Sequence, residues 1–257
     1  MKKVILTVIF AIATCFNLSA ADGDSLRILW IGNSYTYFHD LPKIVKDIAS
    51  SQHVKLSTTT ILKGGERLKG HVQNPRLTDE LKRGGWDYVV VQEQSTIPSL
   101  STESVINETY PYAHTIDSLA KKHSPNVHVI YYMTWGHKYG CINKTGYEPA
   151  QHYTTMQERL KTTYLEMAHM NNSWCAPVGM AWKKIREEHP DYQIYEDDCT
   201  HPSVLGSYLA ANVIFTTIYQ RQYQTGVKCG IADSQAEVIQ QTAQQTVLEN
   251  LRLLNIK

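Results

Sequence analysis

The sequence predicts a three-layer α/β/α sandwich of flavodoxin-like type on a mainly parallel central sheet, and three observations lead there. Short apolar runs read as buried strands, amphipathic stretches of helical spacing lie between them, and those stretches are long enough to cross over between parallel neighbours. Residues 26–31 form the first apolar run. Residues 41–51 follow as a helix with Leu41, Ile44, Val45 and Ile48 on one face, and residues 54–61 alternate as a strand. Val89, Val90 and Val91 make a third strand, residues 101–122 a helix, 127–133 a strand, 153–170 a helix and 174–178 a last strand. Pro202 and Ser203 are helix-start signals. Residues 230–256 predict a final helix with Val238, Ile239, Thr242, Val247, Leu251 and Leu254 as core contacts.

Residues 1–21 are set apart as a signal peptide: Lys2 and Lys3 precede an apolar run over residues 4–16, and Ser19-Ala20-Ala21 supplies small residues for cleavage. The run is short for a membrane span, so the product is expected to be exported to the periplasm or outside the cell. Lipid attachment at Cys15 is the weaker expectation, because Thr14 is bulky for the position before a modified cysteine. Residues 22–257 contain no Pro/Gly/Ser-rich linker and no repeat, and predict one domain. Hydrophobic residues make up 42% of the chain, enough for a globular core.

Composition removes several function classes. Losing Lys2 and Lys3 turns a formal charge of +1 into a slight acidic excess, with no basic stripe for nucleic acid. Cys141, Cys175, Cys199 and Cys229 remain after the leader and could form up to two disulfides, but no Cys-x-x-Cys or His-Glu-x-x-His spacing suggests a metal. No nucleotide-binding glycine motif is present, and no cofactor is expected.

Ligands of such a sheet bind beyond the carboxyl ends of the strands. Four polar segments fall there: Asn33-Ser34, Lys63-Gly64-Gly65-Glu66, Gln92-Glu93-Gln94-Ser95 and Thr134-Trp135-Gly136-His137. Far downstream stands Asp198-Cys199-Thr200-His201-Pro202. A serine hydroxyl is almost wholly protonated at neutral pH and needs a base, and a histidine oriented by a carboxylate provides one. Each motif alone has a plain structural use, Ser34 as a helix cap and Gly64-Gly65 as a turn. Together and in this order, Ser34, His201 and Asp198 suggest ester hydrolysis.

The order Gly-Asn-Ser after the first strand, a glycine after the second, a polar amide after the third and Asp-x-x-His-Pro before a late helix resembles the SGNH hydrolase, or GDSL-type esterase, superfamily. Within it the chain is most similar to secreted bacterial members with Gly-Asn-Ser-Tyr/Phe-Thr and Gln-Glu-Gln-Ser motifs. The resemblance implies an acyl-enzyme mechanism with Ser34 as nucleophile, Asp198 and His201 as acid and base, and backbone N–H groups of Ser34 and Gly65 as oxyanion donors. The usual Gly-x-Asn-Asp block is replaced by Gln92-Glu93-Gln94-Ser95; similarity to sialate and xylan acetylesterases implies Gln92 as third donor, and simple alignment implies Gln94.

Asn33, Tyr35, Glu93, Trp135 and His137 are candidate substrate contacts. Glu93 could equally be hydrogen-bonded structure, and Trp135 either stacks on a sugar ring or anchors its loop. Tyr35, Tyr37 and Phe38 could line an acyl pocket or pack in the core. The expected substrate is an acylated carbohydrate or another small ester, with acetate first among acyl groups. Alternatives are a lipid or short-chain acyl esterase or thioesterase and, in another class, a silent glycan-binding protein. The sequence leaves the oligomeric state open.

Overall fold

The computed structural model describes residues 25–142 and 145–257, so the leader predicted over residues 1–21, Cys15 included, lies outside the described residues. Five strands, β1 (Leu26–Gly32), β2 (Leu56–Leu62), β3 (Tyr88–Val91), β4 (His128–Tyr132) and β5 (Trp174–Ala176), form one parallel sheet in the order β2-β1-β3-β4-β5. Helices α1 (Ser34–Tyr37) and α2 (Leu41–Ser51) follow β1, and α3 (Leu68–His71) and α4 (Pro75–Arg83) follow β2. Next come α5 (Thr102–Glu108) and α6 (Tyr110–His123) after β3, and α7 (Tyr153–Met170) after β4. The chain after β5 forms α8 (Val178–Glu188), α9 (Val204–Tyr219) and α10 (Asp233–Leu248).

Ile28, Leu29, Trp30 and Ile31 are wholly buried and so are all four residues of β3, which requires cover on both faces of the sheet. One layer consists of α2, α8, α9 and α10 packed on one another, and the other of α4 and α5 against α6, with α6 against α7. Helix α9 is apolar all round because its neighbours α2, α8 and α10 enclose it, and every residue from 205 to 218 is buried.

Three departures from the expected elements have local causes. The helix predicted over residues 101–122 breaks at Thr109 (φ −126°, ψ −59°), since Pro111 cannot donate the hydrogen bond that would carry α5 into α6. The last strand stops at Ala176, where Pro177 turns the chain and Val178 opens α8, a helix the sequence pattern did not suggest. Helix α10 ends at Leu248, eight residues before the predicted limit, and the tail beyond it turns back so that the Cys175 N–H donates to the Leu254 carbonyl at 3.0 Å.

The register sets the functional edge. Gly32 lies opposite Leu62, Ile31 opposite Val91, Val91 opposite Tyr131 and Tyr132 opposite Ala176, so the exits of all five strands gather at one rim. The chain leaves β1 toward β2 on one side and returns to β3 on the other, and the crevice between these connections opens at Asn33 and Gln92.

Candidate active site

Ser34 sits at the first position of α1, and its place is dictated from below. The Gln92 Oε1 accepts from the Asn33 N–H and the Thr36 hydroxyl, both at 2.9 Å, so the third strand holds the turn that presents Ser34. Gly32 allows this approach: a Cβ there would stand 2.6 Å from Gln92 Oε1 and 2.7 Å from Thr36 Oγ1. Asn33 caps α1 by accepting from the Tyr35 N–H at 3.2 Å, while its Nδ2 donates to the Glu66 carbonyl at 2.9 Å and ties this turn to the glycine loop. Beneath them the buried His71 donates from Nε2 to the Gly32 carbonyl at 2.9 Å; burial pushes its pKa down and keeps the ring neutral.

The loop bearing Asp198 and His201 is a narrow hairpin closed by the antiparallel Tyr195–Pro202 bridge. Cys199 takes a left-handed conformation (φ 64°) at its tip, which turns the Asp198 carboxylate back onto its own loop. Asp198 Oδ1 accepts from the N–H groups of Thr200 and His201, each at 2.9 Å, and Oδ2 contacts His201 Nδ1. Burial works against ionisation, but the His201 ring and the two backbone donors outweigh it and hold the Asp198 pKa at about 2. On the other side of the ring, His201 Nε2 lies 2.9 Å from Ser34 Oγ, joining residues 167 positions apart.

The imidazole is held flat. Phe38 stacks on it at 4.4 Å and 10°, and Tyr35 meets its edge at 5.4 Å. His39 Nε2 reaches Glu196 Oε1 at 3.0 Å and the Pro202 carbonyl at 3.1 Å, so the segment after Ser34 grips both sides of the hairpin. The fourth strand's exit loop supports it from behind: Lys138 N–H donates to the Cys199 carbonyl at 2.8 Å and Trp135 Nε1 to the Thr200 carbonyl at 3.1 Å.

Two N–H groups border the serine. In α1 the amides of Tyr35, Thr36 and Tyr37 all donate to Asn33, whereas the Ser34 N–H, an N-terminal helix amide, has no acceptor among the described residues. Gly65 is exposed with φ +67°, in a turn closed by the Glu66 N–H on the Lys63 carbonyl. Among the described residues no cluster of His, Cys, Asp or Glu is arranged to hold a metal ion.

No protein-family model and no curated protein matches the chain. Solved structures do. The chain is 26% identical to a protein described as a candidate SGNH hydrolase from Slackia heliotrinireducens, with a TM-score of 0.62 over 76% of this chain and all of the other. It shares the fold of a DUF4886 family protein from Bacteroides uniformis (18% identity, TM-score 0.71, covering 91% and 97% of the two chains). A variant of Axe2, an acetyl xylan esterase from Geobacillus stearothermophilus, has the same fold at 14% identity and TM-score 0.55, covering 79% and 99%. In fold, and at this level of sequence identity, the chain is similar to SGNH hydrolases.

The sequence-nominated residues separate into two groups. Ser34, His201 and Asp198 come together, with Gly65 on the adjoining loop. Gln92 is wholly buried; its Oε1 holds the Ser34 turn and its Nε2 donates to the Glu93 carbonyl, so its amide braces the nucleophile segment. Gln94 Oε1 caps the next turn by accepting from Thr96 and Ile97 N–H at 2.8 and 3.2 Å, and Nε2 lies 3.5 Å from Ser95 Oγ.

The five expected substrate contacts are all buried. Trp135 lies in a stack between Tyr35 (4.7 Å) and Trp182 (3.9 Å), which makes it the loop anchor rather than a sugar platform. His137 bridges Ser95 Oγ and Cys141 Sγ at 3.2 Å each. Cys175, Cys199 and Cys229 carry free thiols, so no disulfide forms among these three. Glu93 Oε1 accepts from Leu68 N–H at 3.1 Å and Gln94 N–H at 2.6 Å; burial raises its pKa to about 7 against the pull of those donors and Arg67. His39, Glu196 and His71 were absent from the sequence-based site, since an isolated histidine or glutamate carries no spacing signal.

Proposed function

We propose that this protein is an exported SGNH-type serine esterase that removes a small acyl group, acetate first, from a carbohydrate. The observation that carries the proposal is the 2.9 Å approach of His201 Nε2 to Ser34 Oγ with Asp198 on Nδ1. Ser34 Oγ attacks the ester carbonyl carbon as its proton passes to His201 Nε2, and the carbonyl π pair moves onto oxygen. The Ser34 and Gly65 N–H groups receive that charge, each such donor being worth about 2.7–4 kcal/mol in the transition state. When the intermediate collapses, the carbon–oxygen bond to the alcohol breaks and His201 returns its proton to the leaving oxygen. Water, giving its proton to the same imidazole, then attacks the acyl carbon; the bond to Ser34 Oγ breaks, His201 returns the proton to Oγ and the acid leaves. Asp198, ionised down to about pH 2, holds the ring tautomer and balances the imidazolium.

The carbohydrate half of the proposal is supported by the shared fold with Axe2, an acetyl xylan esterase, and by the leader predicted over residues 1–21, which accords with substrates outside the cell. The test is turnover of p-nitrophenyl esters of increasing chain length and of acetylated xylan by purified protein beside Ser34→Ala. The expected result is acetate release with a loss of at least about a thousandfold in the variant. Equal rates in both proteins would remove Ser34 from the chemistry, and a preference for octanoate over acetate would replace the carbohydrate substrate with a lipid one.

A further inference from the structure

Because the expected substrate contacts are buried, the surface that meets substrate beside His201 must be built from other side chains. His201 Nε2 has to reach the leaving oxygen to protonate it, so the carbon skeleton of the alcohol lies against whatever borders that imidazole. One face of the ring is covered by Phe38, and Phe38 in turn stacks on Tyr37 at 5.8 Å and 28°. Tyr37 is 43% exposed, although it stands three residues from Ser34 and belongs to the same short helix. Its hydroxyl extends to the glycine loop: a Cβ on Gly64 would lie 3.0 Å from Tyr37 Oη, so the bare backbone at Gly64 leaves room for it. Two aromatic rings therefore run from the base to the loop that carries Gly65.

We propose that Tyr37, backed by Phe38, is the platform on which the leaving alcohol rests, and that this alcohol is the pyranose ring of an acylated carbohydrate. The assignment rests on Ser34 acting as an ester nucleophile. A flat, solvent-facing ring with a hydroxyl at its edge suits a sugar, which offers a face of C–H groups and hydroxyls at its rim; a fatty chain is better served by an enclosed apolar channel. Tyr37 sets the choice of alcohol while Ser34 and His201 carry out the bond changes.

The test compares kcat/KM for acetylated methyl β-xylopyranoside and for ethyl acetate, whose alcohol has no ring, in wild type, Tyr37→Ala and Tyr37→Phe. In parallel, the affinity of the acetylated xyloside is measured by calorimetry on Ser34→Ala and on Ser34→Ala combined with Tyr37→Ala. The sugar-to-ethyl specificity ratio is expected to fall about three- to tenfold in Tyr37→Ala, mostly through KM, and to stay within about twofold in Tyr37→Phe. The affinity should fall by a similar factor. Equal losses on both esters, no change in affinity, or a loss that follows Tyr139→Ala, the 60% exposed ring on the loop after β4, would overturn the platform. If Ser34→Ala hydrolyses ethyl acetate as fast as wild type, the esterase proposal fails instead, and the calorimetry still decides the role of Tyr37.

Discussion

At the scale of single residues, the site depends on side chains whose amides and rings are consumed inside the protein. Gln92 holds both Asn33 and Thr36, and only a glycine at position 32 lets it come that close. Gly32→Ala forces the Gln92 amide or the Ser34 turn to move, because contacts of 2.6 and 2.7 Å are below any tolerable carbon–oxygen separation. The expected outcome is a loss of about 1–3 kcal/mol in urea unfolding together with a fall in kcat, as Ser34 leaves its alignment with His201. Wild-type values of both would show that Gln92 gives way freely. The distinction between Gln92 as a donor to substrate and Gln92 as a brace was not legible in the sequence, since both uses place a buried amide at the end of β3. Ser34, Asp198 and His201 were legible, because the chemistry demands those residue types and the chain supplies them in the required order. Trp135 illustrates the reverse case: an aromatic on an active-site loop suggests contact with a ligand, and only packing between Tyr35 and Trp182 reveals an anchor.

At the scale of elements, the two halves of the site are joined by a clasp outside any regular secondary structure of length. His39 and Asp40 both have φ 52°, a left-handed turn that swings the His39 ring over the 195–202 hairpin to Glu196 and Pro202. His39→Ala releases that hairpin, and His201 with it, from the nucleophile segment without altering Ser34, His201 or Asp198 themselves. A fall of about tenfold in kcat with KM changed less than about twofold is expected, partly restored in His39→Gln, whose amide can donate to the Pro202 carbonyl. An unchanged kcat, or a KM effect alone, would mean that the Phe38 stack suffices to hold His201. Most of the supporting elements were readable from periodicity: β1, α2, β3, β4 and α7 fall close to their predicted ranges because buried strands and one-sided helices leave strong patterns. Helices α4 and α8 were not, since α4 is short and carries few apolar residues, and α8 begins directly after a strand with no loop of its own. The break between α5 and α6 was signalled by Pro111 but masked by helical spacing on both sides.

At the scale of the whole molecule, one buried carboxyl couples the site to global stability. Glu93 leaves the end of β3 and accepts from the first amide of α3, fastening the third strand's exit to the loop that carries Gly65. It is 1% exposed, and its second oxygen has no hydrogen-bond partner among the described residues. The charged groups facing it oppose one another: Arg67 favours the carboxylate, but its guanidinium is engaged with Glu108 at 2.8 Å, and Glu108 itself opposes ionisation. With burial dominant, the folded pKa lies at about 7, above the ordinary 4.5 of a glutamate side chain. A raised carboxyl pKa means that the folded state binds the proton more tightly than the unfolded chain. This group's contribution to stability is therefore complete below about pH 4.5 and is lost as pH rises through 7, by on the order of 3 kcal/mol. Asp198 does not confuse the comparison, because its depressed pKa of about 2 places its own change in the acid range below pH 4. Glu93→Gln keeps an oxygen for the Leu68 and Gln94 N–H groups and cannot ionise. Denaturant unfolding at pH 5 and pH 8.5 should show wild type losing stability relative to Glu93→Gln between the two conditions. Parallel pH dependence in the two proteins would place the Glu93 titration outside that window and break the link between its burial and the fold's response to pH.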